Sequence, residues 1–270
     1  MKMTSKITVL TLALLAAGSM TFAQGTGKSN EKGDEIMRIV RDFKKPDFST
    51  SNVIMTLTDK NGKKETRAVR EYGRDKDGQT SVVMMFLSPA SVKDTRFLQI
   101  EKENADDDKF IYLPSLKSTR RVNASEGSKS FMGTDATYDD LSTREFEEDY
   151  HEYITTEDKN GYKNCDVVIM TPKDKKSSQY SYRKAWIYHV DEAEKIYYPI
   201  YTELYDKNNK LVKKLTVSRI EKVGDFYIPM DDKMENVQTG HSTTLEIKNV
   251  DTTTKIPDRY FTQNFLNTGK

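Results

Sequence analysis

One cysteine, Cys165, stands in the 270 residues, so no internal disulfide can form. It opens an apolar run, CDVVIMT, and reads as a small buried hydrophobe more than as a reactive thiol. The three histidines, His151, His189 and His241, are far apart, and none stands at metal-ligand spacing with another histidine or a cysteine. HExxH, GxSxG, P-loop and GxGxxG motifs are all missing. Asp106-Asp107-Asp108 lacks the spacing and the glycine of a calcium loop and reads as a solvated turn, as does Glu147-Glu148-Asp149. The expectation is therefore a protein that is not an enzyme and uses no metal or cofactor.

Excess charge of one sign is also missing. The formal net charge is +1, which gives nucleic acid no support as a partner. Beyond residue 17 no apolar stretch approaches the roughly 18 residues that a spanning helix needs.

What is present begins with an export signal. Lys2 and Lys6 precede the apolar run Ile7 to Ala17, and Thr21-Phe22-Ala23 offers small residues at a cleavage site after Ala23. No cysteine follows the cut, so no acyl anchor is expected there. Residues 24–32, QGTGKSNEK, read as a disordered linker, and 33–270 as one folded domain. A helix follows, with Asp34 as its cap and Ile36, Met37, Ile39, Val40 and Phe43 on one face, until Pro46 stops it.

From there the pattern has a period of two. Asn61-Gly62 and Asp77-Gly78 mark tight turns, and about 11 antiparallel strands are expected over 53–250. Pro199 argues for an edge or a bulge. Residues 114–149 break the rhythm and read as a long loop, with a box-like pair at Thr137 and Asp140.

Several strands are apolar on both sides. Val82, Met84 and Phe86 oppose Val83, Met85 and Leu87, and Phe97 opposes Leu98 and Ile100. Such strands need cover on both faces, or one face lines a cavity. The helix and the 114–149 segment are the candidate covers. An ordinary filled core and a partly enclosed apolar cavity both satisfy the pattern. On the cavity reading Met84, Phe86, Phe97 and Trp186 line it. Phe131, Met132, Tyr138 and Leu141 then plug it from a lid, 127–141, hinged at Gly127 and Gly133. Lys117, Arg120 and Arg121, just before the lid, are placed to meet an anionic head group or an acidic partner.

Phe131-Met132-Gly133-Thr134-Asp135-Ala136-Thr137-Tyr138-Asp139-Asp140-Leu141 resembles the FMGSDFSYEDL segment of outer-membrane lipoprotein-sorting-like proteins, relatives of the LolA carrier. Phe86-Leu87-Ser88-Pro89-Ala90, Tyr112-Leu113-Pro114, Met234-Glu235-Asn236 and Pro257-Asp258 agree in order. The departures are Ala136, where the family often has Phe, and Thr134 for Ser. The resemblance implies a mainly β half-barrel closed by helices, with an apolar cavity for the acyl chains of a lipid or lipoprotein. It also implies a periplasmic location and an RND-type exporter as partner. An envelope sensor or exporter adaptor with the same fold is the competing expectation; a lipid hydrolase is the third.

Overall fold

The computed structural model describes residues 25–102 and 105–270. The expected signal, 1–23, lies outside them.

Helix α1, Glu31–Arg41, starts earlier than its apolar periodicity suggested. Asn30 caps it, with its side-chain oxygen accepting from the Gly33 N–H at 2.8 Å. The same side chain also pairs with the backbone of Tyr153 at 2.9 and 3.1 Å. Asp34 is therefore not the cap; it reaches His151 Nδ1 at 3.1 Å. Gly33 lets the first turn touch the sheet, since a Cβ there would stand 2.3 Å from the His151 carbonyl oxygen. Of the expected linker, residues 25–30 are tied to the same strand: the Thr26 N–H meets Glu152, and the Asn30 N–H meets the His151 carbonyl.

Thirteen strands follow, against about 11 expected. They are β1 Phe48–Thr58, β2 Lys64–Lys76, β3 Gln79–Ser88, β4 Arg96–Ile100, β5 Asp108–Leu113, β6 Ser118–Arg121, β7 Asp149–Lys159, β8 Tyr162–Pro172, β9 Tyr182–Asp191, β10 Ile196–Tyr205, β11 Leu211–Val223, β12 Phe226–Asn236 and β13 His241–Asp251. β6, with the sequence STRR, carries no apolar alternation and was hidden inside the expected loop.

The strands form one antiparallel sheet in the order β6-β5-β4-β3-β2-β1-β13-β12-β11-β10-β9-β8-β7. Two meanders meet at the β1–β13 pair. The chain passes from the free edge at β6 to the free edge at β7 through residues 122–148, and that passage lies across one face. Its bonds show the curvature. Lys109 of β5 holds Ser142 at 2.6 Å, while Arg144, two residues on, holds Asp149 of β7 at 2.9 Å. β5 and β7 lie near opposite ends of the strand order, so the sheet bends until its edges approach. The result is an open half-barrel with an inner and an outer face.

Paired residues share a face. Val53 with Ile247 and Met55 with Leu245 lead through Met234, Leu215, Thr202 and Ala185 to Val168. All of these are inward, beneath α1 and the crossing segment. The outer face of β3–β5 has a cover that the sequence reading missed. Val83 and Leu98 pack against Ile256, Phe261, Phe265 and Leu266 of the C-terminal tail, which includes the short helix α2, Gln263–Thr268. So few helical residues leave no usable periodicity.

Two irregularities follow from local sequence. Ser88 pairs with Ala68 and Phe86 with Val69, leaving Leu87 as an extra residue that points outward, 47% exposed. At Pro199, which has no N–H to donate, the β9–β10 register shifts. The expected bulge is present; β10 is an interior strand and not an edge.

Candidate functional site

Between α1, the inner face of β10–β12 and residues 139–146 runs a cleft of about 920 Å³. Met37 and Val40 form its roof; Tyr198, Leu204, Leu215 and Met234 form its floor. Phe43, just past α1, meets Tyr198 edge-on with ring centroids 5.7 Å apart. The floor is half-buried instead of sealed at Tyr198, Leu215 and Met234, because their inward sides face this space. Asp42, Asp75, Asp77 and Glu101 stand at one end of the cleft. Arg144, Asp149 and Arg183 stand at the other.

The crossing segment is fixed by buried polar groups. Residues 130–137 form a tight hairpin, with Met132 at φ +51° and Gly133 at φ +78° in its turn. Phe131 points inward between Phe97, Tyr138 and Phe86, at centroid distances of 4.9, 5.7 and 6.2 Å. Arg67 of β2 donates to the Met132 carbonyl at 2.6 Å. Asp135 accepts from Thr243 and His241 of β13, both at 2.7 Å. Asp140 accepts from Lys213 of β11 at 2.6 Å and from the Tyr180 hydroxyl at 2.8 Å. The Asp140 and Lys213 side chains are 6% and 7% exposed, so this pair is desolvated and costly to break. The Thr137–Asp140 box expected from sequence is present, with each side chain accepting from the other's N–H at 2.9 and 3.2 Å.

The expected site residues therefore separate. Met84, Phe86, Phe97, Phe131, Met132, Tyr138 and Leu141 come together in one hydrophobic cluster. They do not line the cleft. The crossing segment fills the β1–β5 half of the inner face, and the open space lies in the other half, under α1. Trp186 is not on the inner face at all. Inward alternation on β9 falls on Arg183, Ala185 and Ile187, so Trp186 points outward. There its indole N–H meets Glu157 at 2.6 Å, and Lys159 and Lys184 cover the ring.

Gly127 has an ordinary helical φ of −53° and no Cβ to collide with the Asp139 carboxylate, which would lie 2.0 Å away. It is a close-approach glycine, and Gly133 is a turn glycine; neither geometry is specific to a hinge. Lys117, Arg120 and Arg121 are exposed along the β6 edge, away from the cleft wall. Arg120 pairs with Glu126 and Arg121 with Asp108.

Sequence reasoning missed the acids and bases that hold the covers. Each histidine pairs with an aspartate: His151 with Asp34, His189 with Asp166, and His241 with Asp135. Lys213 carried a usable signal, since period two puts it on the same side of β11 as Leu215 and Val217. Also missed was Glu71, inward on β2. Burial pushes its carboxyl up to about 7, with the Asp232 charge adding to the shift. Asp232 on β12 is pushed up to about 6 by burial and by Asp231. Both are half-buried by accessible surface although protein encloses them, as expected of groups facing an interior space. One Asp232 oxygen is buried without a hydrogen-bond partner.

A family model described as "-like: Uncharacterized protein" matches residues 78–268. No curated protein matches. Among solved structures, a domain provisionally named as an outer membrane lipoprotein-sorting protein, from Vibrio parahaemolyticus, is 28% identical with a TM-score of 0.80. The match covers 88% of this chain and 99% of that one. A DUF1329 family protein from Desulfovibrio piger is 27% identical with a TM-score of 0.79, over 88% of this chain and 99% of that one. A LolA superfamily protein from Nitrosomonas europaea shares the fold at a TM-score of 0.63 and 16% identity, over 86% and 98%. The open half-barrel is thus a LolA-like fold. Among the described residues, no helix is long and apolar enough to cross a membrane.

Proposed function

The chain belongs to the family whose model spans residues 78–268, and from that premise we propose that it is a periplasmic binding protein, not an enzyme, which carries an acyl chain of a lipid or lipoprotein in the cleft beneath α1. The cleft itself carries the reading. Its volume of about 920 Å³ lies within the roughly 300–1,000 Å³ usual for small-molecule sites. Its middle is apolar at Val40, Tyr198, Leu204 and Leu215, with charged groups toward both ends, and Met37, Met170 and Met234 supply adaptable side chains. Each buried methylene contributes about 0.8 kcal/mol, so a dozen supply on the order of 10 kcal/mol before the costs of association.

α1 is the cover that gives way, because the other cover is anchored by desolvated charges. An RND-type exporter as donor or acceptor of the cargo is supported by the sequence resemblance of 131–141. Native mass spectrometry of the protein purified without detergent tests the carrier reading. Lipid-sized mass increments are expected. They disappear in Leu215→Trp and Met234→Trp, which fill the cleft from its floor. Bare protein mass, with no uptake of a fluorescent fatty acid by the unmodified protein, would end the reading. An empty cleft together with tight exporter capture would favour the adaptor.

A further inference from the structure

The antiparallel order puts alternate turns on the same rim of the half-barrel. One rim collects 59–63, 89–95, 114–117, 173–181, 206–210 and 237–240. Neighbouring turns on it touch. A Cβ on Gly240 would meet Lys60 at 3.3 Å, and Lys207 donates to the Lys175 carbonyl at 2.5 Å. This rim is rich in exposed lysine, including Lys60, Lys63, Lys93, Lys117, Lys175 and Lys210. Its acids are fewer, and Asp59, Asp174 and Asp206 are bonded to the backbone of their own turns.

The same rim holds the exposed apolar residues. Leu116 is 61% exposed at the β5–β6 turn, Leu87 47% at the end of β3, Val237 41% at the β12–β13 turn, and Tyr150 37% at the start of β7. Of the large exposed hydrophobics among the described residues, Ile154 alone lies elsewhere, on β7. The opposite rim is mixed in sign: Asp77, Asp106, Asp158, Glu192, Glu194 and Asp225 are exposed there, but so are Lys76, Lys163, Lys195, Lys222 and Lys255, and Asp158 pairs with Lys163. The end of the cleft lined by Asp75, Asp77 and Glu101, with Lys45, lies at that rim.

We propose that the basic rim docks on an anionic lipid bilayer, with Leu116, Leu87, Val237 and Tyr150 entering the interface and the lysines meeting the head groups. Apolar tips ringed by lysine match the layered chemistry of a bilayer surface, where charge attraction and shallow apolar insertion act together. The opposite rim offers neither the lysine excess nor the exposed apolar tips, so docking fixes an orientation with that rim turned away from the membrane.

Sedimentation of the full chain with vesicles tests this. Vesicles of phosphatidylcholine alone are compared with vesicles containing about one third phosphatidylglycerol. Binding to the anionic vesicles is expected to be at least ~10-fold tighter, and to weaken by about 10-fold between roughly 50 and 200 mM salt. Lys60→Glu with Lys117→Glu and Lys210→Glu abolishes it. Leu116→Ser with Leu87→Ser lowers it several-fold. Glu192→Gln with Glu194→Gln, on the opposite rim, leaves it unchanged. Circular dichroism confirms that each variant is folded. Equal binding to both vesicle types, no binding, or indifference to the rim variants overturns the proposal, and so does capture by an acidic protein without vesicle binding. None of these outcomes bears on the cleft, which native mass spectrometry reads independently.

Discussion

Two segments cover the inner face, and they are held by different chemistry. Residues 122–148 span the sheet from edge to edge and are fastened by Asp140 on Lys213, Asp135 on His241 and Thr243, and Arg67 on the Met132 carbonyl. Helix α1 rests on Ile36, Met37 and Val40 against Val168, Ala185 and Ile187, with Asp34 and Lys32 as its side-chain ionic ties to the sheet. Apolar contacts are non-directional and survive a small slide, whereas a buried ion pair has one good geometry. On the carrier reading, the cover with the family-like sequence is the part of the wall that stays, and the plain amphipathic helix is the part that yields to cargo.

The largest expected effect breaks the fixed cover. Asp140→Ala leaves the Lys213 ammonium buried without its partner and frees the Tyr180 hydroxyl; a loss of about 3–5 kcal/mol is expected in chemical denaturation. A loss under about 1 kcal/mol would mean that the segment is only lightly held. Gly127→Ala is next, at about 1–3 kcal/mol, because the new methyl collides with the Asp139 carboxylate unless that side chain or the turn at 124–127 moves.

Glu71 sharpens the comparison, because it lies on the floor between the two covers. Folding raises its carboxyl from an ordinary 4.5 to about 7, so the folded protein keeps a proton that the unfolded chain has released. Its stabilising contribution is whole below about pH 4 and is lost as pH rises to about 7. Glu71→Gln removes that dependence: thermal unfolding should show it more stable than the unmodified protein at pH 8, by on the order of 1–2 kcal/mol, and nearly equal at pH 4. An equal difference at both pH values would place the group in water. The smallest effect belongs to α1. Asp34→Ala should cost about 1 kcal/mol in stability while speeding release of a fluorescent fatty acid several-fold in stopped flow.

The meander was legible because the turn dipeptides Asn61-Gly62 and Asp77-Gly78 bracket alternating runs, and the Pro199 bulge followed from a missing N–H. β6 and the C-terminal cover were not, since STRR and a six-residue helix carry no period. Phe131 and Tyr138 were legible as apolar residues of a covering segment; the anchors of that segment were not, because the partners of Asp135 and Asp140 sit on β13 and β11, far off in sequence. Trp186 shows the limit of reading apolar residues without parity, because one residue along β9 exchanges the inside of the barrel for the outside.

Amide hydrogen exchange on the protein with and without a bound fatty acid is the most direct test of the division between the covers. Protection is expected to rise across residues 31–41 on loading, while 127–141 exchanges slowly and equally in both states. A change confined to 127–141, with the helix indifferent to cargo, would contradict it.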